Sequence, residues 1–177
     1  MSQKDSSTSA AAGSTGLGGK FMTFRLAREE YGLEILKVRE LIGLMEITRI
    51  PRAPSHVRGV INLRGKVIPV VDLRLKFEME AADMTSQTVI IVVQLAAESG
   101  GLTMGILVDE VLEVRAIPDA DVEPPPNLQG QAASSFILGV GKADKRVIFL
   151  LDIDRVLTPQ ERSPLLELSN PIPSLSA

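Results

Sequence analysis

The 177-residue chain has no cysteine and no tryptophan, a single histidine, a single tyrosine and five phenylalanines. Without cysteine, no disulfide framework and no thiolate metal site is possible. So few aromatics leave little to stack on unpaired bases. A formal charge of −3 gives no net attraction for phosphates, so a nucleic-acid partner is disfavoured. No stretch approaches the eighteen or so apolar residues of a membrane span, and the opening MSQKDSSTSAAAGSTGLGGK lacks the apolar run and cleavage pattern of a secretory signal. That opening is also poor in large apolar residues, so residues 1–20 read as a flexible tail. A cytoplasmic protein with no direct membrane insertion is expected.

Chemical motifs are missing as well. There is no Gly-rich phosphate loop, no HExxH and no GxSxG. His56 stands alone in a loop with Pro51 and Pro54, with no triad or ligand set near it in sequence, and reads as a surface residue. Asp109 with Glu110 and Asp152 with Asp154 could be drawn as acid–base pairs. Asp72 and Asp152 follow apolar strands, however, where a carboxylate caps a turn. No catalytic residue, metal or cofactor is expected.

What the chain does contain is a repetition. GVINLRGKVIPVVDL at 59–73 returns as GVGKADKRVIFLLDI at 139–153, matching Gly59 to Gly139 and Asp72 to Asp152 at one ungapped offset (139 − 59 = 80). YGLEILKVREL from Tyr31 falls on MGILVDEVLEV from Met104 (104 − 31 = 73), pairing Gly32 with Gly105 and Val38 with Val111. The difference between the offsets lies in a Pro-rich insertion after Val114. FMTFRL, TVIIVVQL, SFILGV and RVIFLLDI are short runs, largely β-branched and bounded by turn residues, and they predict strands. HVRGVINLRGKVIPVVDL predicts a hairpin around Arg64-Gly65, with a tip of up to four residues and Pro69 at an edge or bulge. The spacing of Ile35, Val38 and Leu41 suits one tight helical turn between strands. A short helix is predicted after Thr158.

Two copies of about 60 residues each bury too little surface to stand alone, so they must pack on one another. The prediction is a mainly β protein of two small five-stranded barrels related by a pseudo-twofold. The first barrel spans 21–80 and the second 87–158, with a C-terminal helix and tail over 161–177. The cluster Arg49, Arg52, Arg58, Arg64 and Lys66 reads as a solvated face or a protein-docking rim.

YGLEILKVRELI, TRIPRAPSHVRGVINLRGKVIPVVDLRLKF, GILVDEVLEV, FILGVG and RVIFLLDIDRVL, in that order, resemble the CheW family of bacterial chemotaxis coupling proteins over residues 21–160. The resemblance implies two SH3-like barrels and a non-catalytic adaptor. Its partners would be the cytoplasmic tips of methyl-accepting chemoreceptors and the regulatory domain of the histidine kinase CheA. It would be recruited to membrane-associated receptor arrays. Carried over by position, receptor binding would use Ile35, Val38, Glu40, Arg64, Val89, Val111 and Val114, and kinase binding Leu44, Met45 and Ile47. The alternatives are an adaptor of a parallel pathway such as surface motility, or a tandem β-barrel that binds nucleic acid.

Overall fold

The computed structural model describes residues 16–125 and 136–169. Residues 1–15 of the expected 1–20 tail, the end of the chain from 170 and residues 126–135 of the Pro-rich insertion lie outside the described residues. The first repeat runs β1 (Gly19–Leu26), β2 (Glu29–Glu34), a 3₁₀ turn (Ile35–Lys37), β3 (Val38–Gly43), β4 (Val57–Leu63), β5 (Lys66–Asp72) and α1 (Leu73–Lys76). The second runs β6 (Val89–Gln94), β7 (Thr103–Val108), β8 (Glu110–Ile117), β9 (Val122–Glu123), β10 (Ile137–Ala143), β11 (Arg146–Leu151) and α2 (Ile153–Val156). A closing helix α3 covers Pro159–Ser169, beginning directly after Thr158 as the sequence predicts and two residues before the domain bound of 161. The first strand likewise starts at Gly19, inside the segment read as tail.

The repetition in sequence is a repetition in backbone. Gly59 pairs with Val70 and Gly139 with Leu150, each beside a register shift in its hairpin. The Asp72 amide donates to the His56 carbonyl at 2.7 Å, and the Asp152 amide to the Phe136 carbonyl at 2.8 Å. Asp72 and Asp152 then cap α1 and α2 by accepting from amides of the first turn, the role the sequence assigns them. Val38 opens β3 and Val111 is the second residue of β8, and each precedes a bulge: Val38 faces Val93 while Glu40 faces Val92, and Val111 faces Phe24 while Glu113 faces Thr23.

The pairing of the two halves departs from two contiguous barrels. One sheet has the order β3-β6-β7-β5-β4, extended by an isolated bridge from Thr48 to Val60; the other has the order β8-β1-β2-β11-β10-β9. Each repeat therefore sends its first hairpin into the sheet of the other, joined there by the parallel pairs β2–β11 and β5–β7. The barrels are therefore not the contiguous spans 21–80 and 87–158, since each takes a hairpin from the other half. Only Ile35–Lys37 and Asp109 separate the exchanged hairpins from the strands that follow them, and the exchange packs together two halves that are marginal alone.

Local details follow from residue chemistry. The β4–β5 tip is a two-residue turn, not four, with Arg64 at φ 52° and Gly65 at φ 87°. Asn62 Oδ1 steadies it by accepting from the Gly65 amide at 2.8 Å. Strand β5 is interior, yet its pairing with β7 begins only at Val70, so Pro69 forfeits no ladder bond.

Alternation along the strands builds three apolar centres. Ile61, Ile68, Val70, Ile90 and Leu107 fill the first sheet's interior, and Phe21, Ile117, Val122, Ile148 and Leu150 fill the second's. The intervening residues, among them Val71, Ile91, Val93 and Leu151, face the other way into a larger cluster shared by both sheets. Each such buried side chain contributes roughly 1.5–3 kcal/mol of transfer free energy. Tyr31 sits at the middle of this shared core, 5.9 Å from Phe24 and 5.6 Å from both Phe77 and Phe149, while Phe77 stacks on Phe136 at 4.8 Å. Helix α3 completes it. Thr158 and Glu161 form a reciprocal capping box (3.2 and 2.8 Å), and Leu165 is buried against the cluster.

Candidate binding surface

The residues singled out for receptor contact fall into two strips related by the repeat. In the first, Ile35 lies half-buried in the 3₁₀ turn, and Val38 opens β3 half-buried against the shared core. Val89 rests against the same core but at the far end of the β3–β6 ladder, opposite Gly43. In the second strip Val111 packs on that core, and Val114, opposite Met22, is 50% exposed. The structure thus gathers Val38, Val89 and Val111 around one apolar centre.

Glu40 and Arg64 meet directly. Both Arg64 Nη atoms donate to the Glu40 carboxylate, one of them at 3.3 Å, and Glu40's hydrogen bonds hold the guanidinium pKa above its usual value. The other barrel answers with a different charge pattern. Glu113 stands where Glu40 does (113 − 40 = 73), but Asp144 replaces Arg64 (144 − 64 = 80). Arg115 bridges the two carboxylates at 2.9 and 2.8 Å. Hydrogen bonding to Arg115 holds the Asp144 carboxyl below its usual range.

Of the residues considered for kinase contact, Leu44 and Met45 are exposed just beyond β3, while Ile47 is half-buried on the first barrel's core. Ile47 also lines an open cavity of about 430 Å³ with Ile50, Val57, Leu75 and Met84. Leu36, which no sequence motif singles out, is 91% exposed on the 3₁₀ turn between Ile35 and Val38. A leucine out of step with the every-third-residue pattern was the signal available for it.

The carboxylates that resembled acid–base pairs are engaged otherwise. Asp109 binds Arg74 and the Ala27 amide, Glu110 pairs with Arg25 at 2.5 Å, Asp152 caps α2, and Asp154 binds Lys37 at 2.8 Å. His56 is less exposed than a surface residue should be. Its Nε2 lies 3.4 Å from Glu161, itself held by Lys76 at 2.8 Å. Tyr31 and four of the five phenylalanines pack on one another in the shared core.

Two interlocked β-barrels whose ionisable groups cap turns and pair with one another, around an apolar surface rimmed by charge, define a protein of the binding and scaffolding class. Residues 20–161 match the CheW-like domain, and the chain belongs to that family. It is 37% identical over 150 residues to the chemotaxis protein CheW of Klebsiella aerogenes, covering 85% of this chain and 87% of the relative. With the chemotaxis protein CheW of Rhizobium meliloti it shares 37% over 155 residues, covering 88% and 97%. Protein FrzA of Myxococcus xanthus is 34% identical over 147 residues, covering 81% and 89%. The crystal structure of the scaffolding protein TtCheW from Thermoanaerobacter tengcongensis superposes with a TM-score of 0.68 at 36% identity, covering 76% of this chain and 89% of that one.

Proposed function

We propose that this chain is a non-catalytic coupling adaptor that joins the cytoplasmic tips of methyl-accepting chemoreceptors to the regulatory domain of the histidine kinase CheA. The observation that carries this reading is the family match across 20–161 together with the Glu40–Arg64 pair beside half-buried Val38. Valines at such positions give a receptor helix apolar contact without a large desolvation cost, and the paired charges orient it. Leu44, Met45 and Ile47 offer a separate surface for the kinase, so both partners can be held at once. The protein acts in the cytoplasm, recruited to receptor arrays. Among the described residues no helix is long and apolar enough to cross a membrane.

An adaptor serving a parallel pathway is a second reading. The similarity to protein FrzA, 34% identical over 147 residues, supports this reading. Sedimentation of purified protein with a receptor cytoplasmic fragment and a kinase regulatory domain tests the adaptor reading. A ternary complex is expected. Binding of neither partner, or binding of single-stranded DNA at moderate salt instead, would overturn it.

A further inference from the structure

We propose that two clasps of opposite polarity, Lys37–Asp154 and Arg74–Asp109, hold in place the two crossovers that lead into Val38 and Val111 and so set the affinity for the receptor helix tip. This rests on the receptor reading above. Each exchanged hairpin returns to its own repeat through a crossover, Ile35–Lys37 ahead of β3 and Asp109 ahead of β8. On the first crossover Lys37 Nζ lies 2.8 Å from Asp154 Oδ2 on α2, and Asp154 Oδ1 accepts the Ala96 amide at 2.7 Å, just past β6. On the second, Asp109 accepts from Arg74 Nε at 2.8 Å and Nη2 at 2.5 Å, and from the Ala27 amide in the β1–β2 turn at 2.8 Å.

Arg74 and Asp154 occupy the same position in the two short helices (154 − 74 = 80). The joint therefore has the same three parts in both halves: short helix, crossover and the end of an exchanged hairpin. Its charges are interchanged, with the carboxylate on the crossover in one half and on the helix in the other. In both, the backbone amide at the hairpin goes to the carboxylate. A substitution that exchanged the sign of only one member would have broken the joint, so the inversion indicates that the connection is what matters.

The joints are partly shielded, with side-chain exposures of 24% and 20% for Lys37 and Asp154 and 19% and 27% for Arg74 and Asp109. Water competes less there than at an open surface pair. Burial opposes charge on Asp109, but the hydrogen bonds from Arg74 and Ala27 prevail and hold its carboxyl below the usual range. Lys37 immediately precedes Val38, and Asp109 stands two residues before Val111. Neither clasp belongs to the contact strips themselves, so the four residues act through the valines and are positioning residues.

The test uses the full chain with a chemoreceptor cytoplasmic tip fragment as probe. Asp154→Asn removes the charge while leaving an oxygen for the Ala96 amide. It should weaken binding roughly threefold to tenfold and speed amide hydrogen exchange at residues 35–38, with Lys37→Arg retaining wild-type behaviour. Lys37→Met should match Asp154→Asn, and the double variant should be no weaker than either single, because one interaction is lost in all three. Single variants with lower melting temperatures but unchanged affinity and unchanged exchange at 35–38 would reduce the clasp to a fold-stabilising contact and overturn the proposal. Additive losses in the double variant would overturn it too. If the wild-type chain fails to bind the fragment, the receptor reading falls and the affinity claim with it, while the exchange comparison still decides whether the clasp holds the crossover.

Discussion

Arg64 and Glu40, 24 positions apart, close on one another across one end of the first barrel, so the two charged residues of the candidate receptor rim form a single unit. With Arg64's side chain 69% exposed, its pairing adds little to fold stability. Arg64→Asp places two carboxylates together at the rim. Melting temperature should move by no more than about 3 °C, while affinity for a receptor tip fragment should fall about five- to a hundredfold. Titration calorimetry and thermal melts on the same samples check both halves; unchanged affinity at unchanged melting temperature would remove Arg64 from the interface.

Val38→Ala and Val111→Ala probe the apolar part of the same surface. Both residues are half-buried on the shared core, so each truncation should cost roughly 1 kcal/mol of fold stability and weaken tip binding severalfold. Unlike the Arg64→Asp loss, these losses should be insensitive to ionic strength between low and moderate salt. A binding series across salt concentrations separates the two mechanisms.

Gly59 at φ 145° has no room for a side chain, because a Cβ there would strike the backbone carbonyl of Thr48. Gly59→Ala should destabilise the fold by about 2–4 kcal/mol, combining backbone strain with steric displacement. Gly139, its repeat equivalent, would place a Cβ 2.7 Å from the Glu123 carbonyl and should respond in the same direction. Denaturant unfolding of both variants measures this.

Burial lowers the pKa of His56, opposed by Glu161 and assisted by Lys76. The folded state then binds fewer protons than the unfolded chain once pH drops below about 6.5, the ordinary histidine value. Stability should be fully present above that value and fall as pH decreases through it. Since Glu161 sits in the first turn of α3, the loss should appear first as faster exchange in that helix. His56→Gln should flatten the dependence between pH 7 and 5.5; an unchanged slope would assign it elsewhere.

Tyr31 is held at a pKa of about 12 by burial, with a smaller contribution from Glu29. Its neutral form is favoured by folding, so this stabilisation is intact below pH 10 and disappears as pH rises toward about 12. As the chain's only tyrosine, it makes tyrosinate absorbance a direct readout: ionisation should coincide with unfolding, and Tyr31→Phe should shift the alkaline midpoint upward.

Much of this architecture could be read in the sequence, and the limits are instructive. Gly59 and Gly139, or Asp72 and Asp152, betray duplicated local structure because each backbone niche demands the same residue type. Nothing in those niches states which copy's hairpin lies beside it. The pairing of Leu33 with Leu151 is set by burial between distant segments, and a leucine looks the same whichever partner it meets. The Arg64-Gly65 tip holds two residues where up to four are expected, because Arg64 takes a positive φ that arginine seldom adopts. The strips around Val38 and Val111 were reachable through repeat spacing and family resemblance. Lys37, Arg74, Asp109 and Asp154 were not, since their partners lie 35 and 117 positions apart and their charges are reversed between the halves.

Exchange of the hairpins also dictates an order of events as the chain leaves the ribosome. The sheet holding β3 to β7 has all its main strands once residue 108 has emerged, but β1 and β2, made first, have no finished sheet to join until β11 is complete at 151. Leu33 waits for Leu151 across 118 positions (151 − 33 = 118). During that interval the edges of the earliest hairpin stay open to foreign strands, so the nascent chain is most vulnerable at its beginning and is safeguarded only by its end.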